Sequence, residues 1–178
     1  MDKYITIVWL LPIVFMVHDF EEILFFKPWI NKNRDYLAKR FPAIAKRFLP
    51  RFENVSTAAF ALAVCEEFVL LSLITFGSVL FDNYLLWLAA FMGFFIHLLV
   101  HLVQWVVLKR YIPAICTTFI ALIYCGYTFY EIIIKSNLFP ISEVVLWTAI
   151  GLALTGANLI FAHTLAERFG KKQEVVGQ

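Results

Sequence analysis

The stretch Met16-Val17-His18-Asp19-Phe20-Glu21-Glu22 places one imidazole and three carboxylates inside an apolar run that extends from Tyr4 to Phe26. Helical spacing puts Glu21 and Glu22 three and four residues after His18, so these three side chains can share one helix face, whereas Asp19 points elsewhere. An ionisable group near the centre of a membrane-spanning helix costs at least about 2.5–3.5 kcal/mol unless it finds partners or water. The stretch therefore predicts a functional polar site on a membrane helix.

The composition indicates a polytopic membrane protein. Of the 178 residues, 62% are hydrophobic, whereas a soluble domain has about 45–50% apolar residues. Five apolar segments reach the roughly 20 residues that a spanning helix requires. We therefore predict an all-α bundle of about five transmembrane helices, in a single membrane domain covering residues 1–178. The predicted spans are residues 4–26, 56–81, 84–108, 112–134 and 142–162.

Residues 27–53 form a polar and strongly basic segment between the first two predicted spans. The segment holds eight Lys or Arg residues against two acidic ones. Apolar residues recur within it at helical spacing, namely Phe41, Ile44 and Phe48. This pattern is typical of amphipathic helices on a membrane surface, and we expect breaks at Pro42 and Pro50. The segment predicts anchoring to anionic membrane lipid, and it disfavours a nucleic-acid partner.

The distribution of basic residues predicts the orientation. With the N-terminus outside, thirteen Lys and Arg residues fall in inner loops and flanks, and only Lys3 and Lys135 fall in outer ones. Positive charges concentrate in the cytoplasmic loops of membrane proteins. We therefore predict that the N-terminus is outside and that the C-terminus and residues 27–53 are cytoplasmic.

Histidines and glutamates of three predicted spans lie at similar depth. Glu66 and Glu67 are near the middle of the second span, and His97 and His101 are in the third. At about 1.5 Å per residue, these four groups and His18 fall within about 8 Å of the membrane midplane. The four-residue spacing of His97 and His101 puts both imidazoles on one helix face, which is the spacing by which one helix grips a metal ion.

These groups predict a site for a divalent metal. Mixed imidazole and carboxylate ligands suit zinc, iron or manganese, and the three cysteines lack the spacing of a thiolate metal site. We predict one or two ions, with zinc or iron favoured. The candidate ligands are His18, Glu21, Glu22, Glu66, Glu67, His97, His101 and His163. A glutamate that is not a ligand would be a catalytic base, and the candidates are Glu21, Glu22, Glu66 and Glu67. The residues that could complete the site are Asp19, Gln104 and Asn158.

Each group taken alone also has a simpler interpretation. An isolated histidine in a membrane helix is more often hydrogen-bonded within the packing than bound to a metal. A buried carboxyl group can stay protonated, because burial disfavours its charged form. Eight histidine and glutamate groups at matching depth nevertheless favour one shared polar site.

The stretch His18-Asp19-Phe20-Glu21-Glu22 in a first membrane span resembles the signature of the HXXEE family of small bacterial and archaeal membrane proteins. His97 and His101, followed by Tyr111-Ile112-Pro113, are similar to that family as well. The resemblance implies a protein of the prokaryotic cytoplasmic membrane. It implies no particular reaction, because the family has no established function.

Three functions are compatible with this sequence. The leading hypothesis is a metalloenzyme, hydrolytic or oxidative, that acts on a lipid-soluble or membrane-embedded substrate. The second is a proton- or metal-ion-coupled transporter or channel subunit, since Glu and His at midplane form ion pathways. Five helices are few for a transporter unless the chain forms a homo-oligomer. The third is a metal-free acid/base lipid isomerase or a lipid-binding protein.

Overall fold

The structure, a computed structural model, describes residues 3–53, 55–136 and 138–176. These residues form six α-helices and one π-helical segment, and they contain no strand. The elements are α1 (Lys3–Arg40), α2 (Pro42–Glu53), α3 (Thr57–Leu80), α4 (Leu85–Leu108), α5 (Ile115–Thr128), the π segment (Phe129–Lys135) and α6 (Ile141–Val176). The predicted all-α fold is confirmed.

Helix α4 is the central helix of the bundle. It packs against α3, α5 and α6 and also touches α1, while α1 packs against α3 and α5. The Trp87, Leu88 and Phe91 side chains of α4 are buried almost completely, and the Trp87 indole N–H donates to the Val8 carbonyl of α1 over 3.2 Å. A side chain on α4 can therefore meet groups from several other helices.

Helices α4 and α6 approach each other closely at two glycines. A Cβ atom at Gly151 would lie 2.1 Å from the Ala89 carbonyl oxygen, and one at Gly93 would lie 2.6 Å from the Thr155 hydroxyl. Small residues spaced by four allow the backbones of membrane helices to come together in this way. The contact at Gly93 holds α4 against α6 one turn before His97.

Helix α1 continues well beyond the predicted first span. Its 38 residues extend about 57 Å at 1.5 Å per residue, whereas the hydrocarbon core of a membrane is about 30 Å thick. Polar contacts hold this extension beside the connection between α4 and α5. They join Trp29 Nε1 to the Tyr111 carbonyl (2.6 Å), the Tyr36 hydroxyl to the Leu108 carbonyl (2.8 Å) and Arg110 Nη1 to Asn33 Oδ1 (3.3 Å).

Helix α2 folds back on the end of α1, and we call this pair the α1–α2 hairpin. Its buried contact is formed by Ile30, Ala45 and Leu49. The chain breaks at Phe41, before Pro42 as predicted, but the break predicted at Pro50 is absent because α2 continues to Glu53. A proline removes one backbone hydrogen bond, and here the contact of Leu49 with α1 keeps the last turn helical.

Among the described residues, four helical stretches are long and apolar enough to cross a membrane. They are Thr57–Leu80, Leu85–Leu108, Ile115–Lys135 and Ile141–Ala166. They lie within a few residues of the last four predicted spans. Residues 4–26 are helical as part of α1 but are not one of these four stretches. The count of five spans and the membrane-surface position of residues 27–53 therefore stay predictions.

Candidate metal centre

Three histidine side chains from two helices meet at one point of the bundle. Ring nitrogens of His18 on α1 and of His97 and His101 on α4 all lie within 4.8 Å of one another. The Nε2 atoms of His97 and His101 are 2.9 Å apart, and the His18 ring meets both other rings edge to face. His18 is completely buried, and His101 is 6% exposed. We call these three residues the histidine cluster.

The geometry of the histidine cluster fits a metal ion. Two imidazole nitrogens bound to one zinc ion, each at about 2.0–2.1 Å, lie about 3.3 Å apart, which is close to the observed spacing of His97 and His101. The buried Nε2 atom of His18 has no hydrogen-bond partner among the described residues. A buried polar atom without a partner is unusual and points to a bound ion or water. The cluster could therefore hold a metal ion.

Glu22 adds a carboxylate to the histidine cluster. Its Oε1 atom lies 3.3 Å from Nε2 of His101, and its side chain is 18% exposed. Glu22 and His101 come from α1 and α4, so the contact joins the two helices that carry the histidines. One carboxylate therefore lies next to the three imidazoles.

Glu21 contacts α5 instead of the histidine cluster. Its carboxylate accepts hydrogen bonds from the Thr117 N–H (2.8 Å), the Thr117 hydroxyl (2.7 Å), the Tyr111 hydroxyl (2.7 Å) and the Cys116 N–H (3.4 Å). The first N–H groups of a helix have no partner within that helix, and a negative charge there is stabilised by the helix dipole. Partial burial and the Glu21 carboxylate raise the pKa of the Tyr111 hydroxyl, which therefore remains the proton donor. Glu21 thus caps α5.

Thr117 connects Glu21 to the histidine cluster, and sequence reasoning did not identify it. Its hydroxyl oxygen lies 3.4 Å from Nδ1 of His18 and 3.3 Å from the His18 carbonyl oxygen. A partner on the second ring nitrogen orients a metal-binding histidine. The available signal was the polar run Cys116-Thr117-Thr118 at the start of an otherwise apolar helix.

Asp19 and Glu67 lie on another side of the histidine cluster. Both line one cavity together with Glu22 and His97. Asp19 is only 4% exposed, and its Oδ2 atom has no hydrogen-bond partner among the residues that the structure describes. Two further carboxylates therefore face the space next to the cluster.

The remaining candidates have three different positions. Glu66 accepts a hydrogen bond from Asn158 Nδ2 over 3.3 Å, so these two residues pair between α3 and α6. Gln104 is exposed and lines a cavity with His97 and His101. His163 lies on α6, and its side chain is outside the part of the chain that the structure describes.

Two largely apolar cavities of about 600 Å³ each meet at the cluster. The hairpin cavity lies between α4 and the α1–α2 hairpin, and its apolar lining includes Trp29, Leu37, Phe41, Phe48 and Val107. The bundle cavity lies between α1, α3, α4 and α6, and its apolar lining includes Ala63, Leu71, Ala90 and Leu154. Glu22, Phe60 and His97 line both cavities. The histidine cluster is therefore bordered by apolar space on two sides.

The fold and the site define a helical protein with four helices suited to crossing a membrane and a histidine cluster that could bind a metal ion. Residues 9–129 match a family described as proteins of unknown function with an HXXEE motif. The match covers more than half of the chain, so the protein belongs to the HXXEE family, and His18, Glu21 and Glu22 are the defining residues of that motif. No curated protein and no solved structure matches the chain.

Proposed function

We propose that this protein is an integral membrane metalloenzyme that acts on a lipid-soluble substrate. The observation that carries the proposal is the meeting of three imidazoles from α1 and α4 beside two apolar cavities. A water-soluble substrate would gain little from such a lining, whereas burial of apolar surface stabilises a bound lipid by roughly 25 cal/mol per Å². We therefore propose that the protein lies in membrane lipid and takes its substrate from that lipid.

The proposed ligands of a single divalent ion are His18, His97, His101 and Glu22. A zinc or iron ion in this set supplies a Lewis acid, and iron also supplies redox chemistry. Glu67 and Asp19 line the bundle cavity without belonging to this set, so either carboxylate is placed to take a proton from a substrate there. The ligand set supports hydrolytic and oxidative chemistry equally.

In the membrane, α1 would supply a fifth span through residues 4–26. Two ionisable side chains of this part of α1 have partners on other helices, since Glu21 caps α5 and Glu22 contacts His101. That arrangement lowers the cost of placing them in hydrocarbon. The charge distribution supports an outer N-terminus and a cytoplasmic hairpin in a prokaryotic cytoplasmic membrane.

The metal content of the purified full-length protein tests the proposal. We expect about one equivalent of zinc or iron in the wild type and less than about a tenth of this in His97→Ala and His101→Ala, because each change removes a ligand. Glu66→Gln is the matched control, since Glu66 pairs with Asn158, and it should retain the metal. If the wild type carries no more metal than the histidine variants, the proposal fails.

Ion transport is the second candidate, and one contact favours it. The Nε2 atoms of His97 and His101 lie 2.9 Å apart, and Nε2 of His101 lies 3.3 Å from Oε1 of Glu22. Both distances are short enough for proton transfer. Proton or metal-ion flux in liposomes that contain the purified protein would support this candidate. Catalytic turnover of a lipid in sealed liposomes that survives a chelator would instead support the metal-free acid/base reaction.

A further inference from the structure

We propose that the substrate of this protein is a single-chain lipid with an anionic headgroup. The headgroup lies at the α1–α2 hairpin, and the chain runs through the hairpin cavity past Glu22 and His97. This inference deepens the proposed function. It rests on that function only for the statement that the reaction takes place at the histidine cluster.

The hairpin cavity has the size and lining of a site for one lipid chain. Its volume of about 600 Å³ falls within the roughly 300–1,000 Å³ that takes one drug-sized ligand. Its walls are aromatic and aliphatic along α2 and α4, and its polar residues are grouped at Glu22, His97, His101 and Gln104. An apolar channel that ends at a polar cluster binds a chain and presents one part of it to the cluster.

Basic side chains lie beside two of the aromatic rings that line the hairpin cavity. The Arg40 guanidinium lies 5.5 Å from the centre of the Phe41 ring, and the Arg47 guanidinium lies 5.8 Å from the centre of the Phe48 ring. Both rings line the cavity, and both arginines are exposed. Two positive charges therefore lie beside rings that line the apolar space, and they would pair with a carboxylate or a phosphate.

The bundle cavity accounts for the far end of the chain. It adjoins the hairpin cavity at Glu22, Phe60 and His97, and it has a similar volume. A chain longer than the hairpin cavity can therefore continue beyond the cluster. In this arrangement an internal position of the chain, and not its headgroup, lies next to the histidines.

Quenching of tryptophan fluorescence by a bromine-labelled stearate tests the proposal on the full-length protein in nonionic detergent. Trp29 lines the hairpin cavity. We expect a saturable loss of fluorescence in the wild type that Trp29→Phe lacks. The methyl ester of the same labelled chain should bind at least about tenfold more weakly, because it has no charge to pair with the arginines. A loss without saturation, or equal binding of acid and ester, would overturn the proposal.

The role of the arginines is tested by a matched pair of double variants. The double variant Arg40→Gln, Arg47→Gln should bind the labelled stearate at least about tenfold more weakly than the wild type. The control double variant Lys32→Gln, Lys39→Gln loses the same amount of positive charge, and its affinity for the stearate should change by less than about threefold. Equal weakening in both variants would overturn the headgroup assignment. Displacement of the probe by unlabelled stearate or by an isoprenyl monophosphate identifies the preferred anion, and a probe that neither compound displaces also contradicts the proposal.

Treatment with a chelator separates this inference from the proposed function. The apolar walls and the arginines carry the binding, so saturable quenching should persist after the metal is removed. Protein that binds the probe but contains no metal would overturn the metalloenzyme and leave the lipid site standing. Protein that contains metal but shows no saturable quenching would overturn the lipid site alone.

Discussion

The two glutamates of the HXXEE motif are neighbours in the chain, but they make different contacts. Glu22 lies beside His101, whereas both oxygens of Glu21 accept hydrogen bonds at the start of α5. Consecutive residues of a helix project about 100° apart, so they meet different neighbouring helices. At the residue scale, the motif therefore combines candidate metal ligands, His18 and Glu22, with a residue that positions α5.

Exchange of each glutamate for glutamine should separate these two roles. Glu21→Gln places an amide N–H₂ group against the N–H groups of α5 and removes a charge from the helix end, so we expect a loss of about 1–3 kcal/mol in stability. Metal content of the folded protein should stay within about twofold of the wild type, because Glu21 is no proposed ligand. Thermal unfolding and metal analysis of the same preparation measure both effects.

Glu22→Gln should have the opposite profile. We expect metal affinity to fall by about 10-fold or more, with a smaller change in the unfolding temperature, because the carboxylate contacts His101 and caps no helix. A variant pair in which Glu21→Gln loses the metal and Glu22→Gln retains it would contradict the assignment of the two residues.

At the element scale, the site depends on how α4 is held by its neighbours. The Gly151 contact brings the α6 backbone against Ala89, and α4 presents His97 to α1 two turns later. On the other side, the α1 extension is joined to the α4–α5 connection through Trp29 and Tyr36. The contacts of Trp29 and Tyr36 hold α1 beside the end of α4, and these are the two helices that carry the histidine cluster.

Gly151→Ala tests the close contact of α4 with α6. A Cβ atom would lie 2.1 Å from the Ala89 carbonyl oxygen, so the helices must separate, and we expect a loss of about 1–3 kcal/mol. Gly156→Ala is the control on the same helix, since nothing lies within 4 Å of its Cβ position. Its unfolding temperature should stay the same or rise, because alanine favours a helix over glycine. Equal unfolding temperatures for the two variants would argue against the close contact.

At the scale of the whole molecule, α4 is surrounded by the other long helices, and the hairpin lies at one end of the bundle. Chain connectivity then places the α4–α5 connection and the hairpin at the same end, because α1 contacts this connection directly. Leu138, which stands between the π segment and α6 in the chain, lies at the other end. Positive charges collect at the hairpin end, which supports a cytoplasmic location for it.

Labelling of cysteines in intact cells tests this orientation. We expect a membrane-impermeant thiol reagent to label Leu138→Cys without permeabilisation and to label Lys46→Cys on α2 only after it. Both positions are exposed in the structure. The parent chain, which carries Cys65, Cys116 and Cys125, is the control for background labelling. The reverse pattern would place the hairpin outside, and labelling of both positions from one side would contradict the five-span arrangement.

The sequence by itself determined the helical class of the fold and the region of the site. Apolar runs of sufficient length predict helices wherever they occur, and helical rise places His18, His97 and His101 at one depth, because both properties depend only on local geometry. The four-residue spacing of His97 and His101 likewise places their rings together whatever surrounds them.

Only the tertiary structure decided which carboxylates reach the histidines. Glu21, Glu22, Glu66 and Glu67 have similar depths, but packing turns Glu22 toward His101, Glu21 toward α5 and Glu66 toward Asn158. The rotation of each helix and the choice of its neighbours depend on contacts between distant residues, such as Gly151 with Ala89, that no local pattern contains. The continuation of α1 and α2 through Pro28 and Pro50, and the two cavities that adjoin the cluster, depend on the same long-range packing.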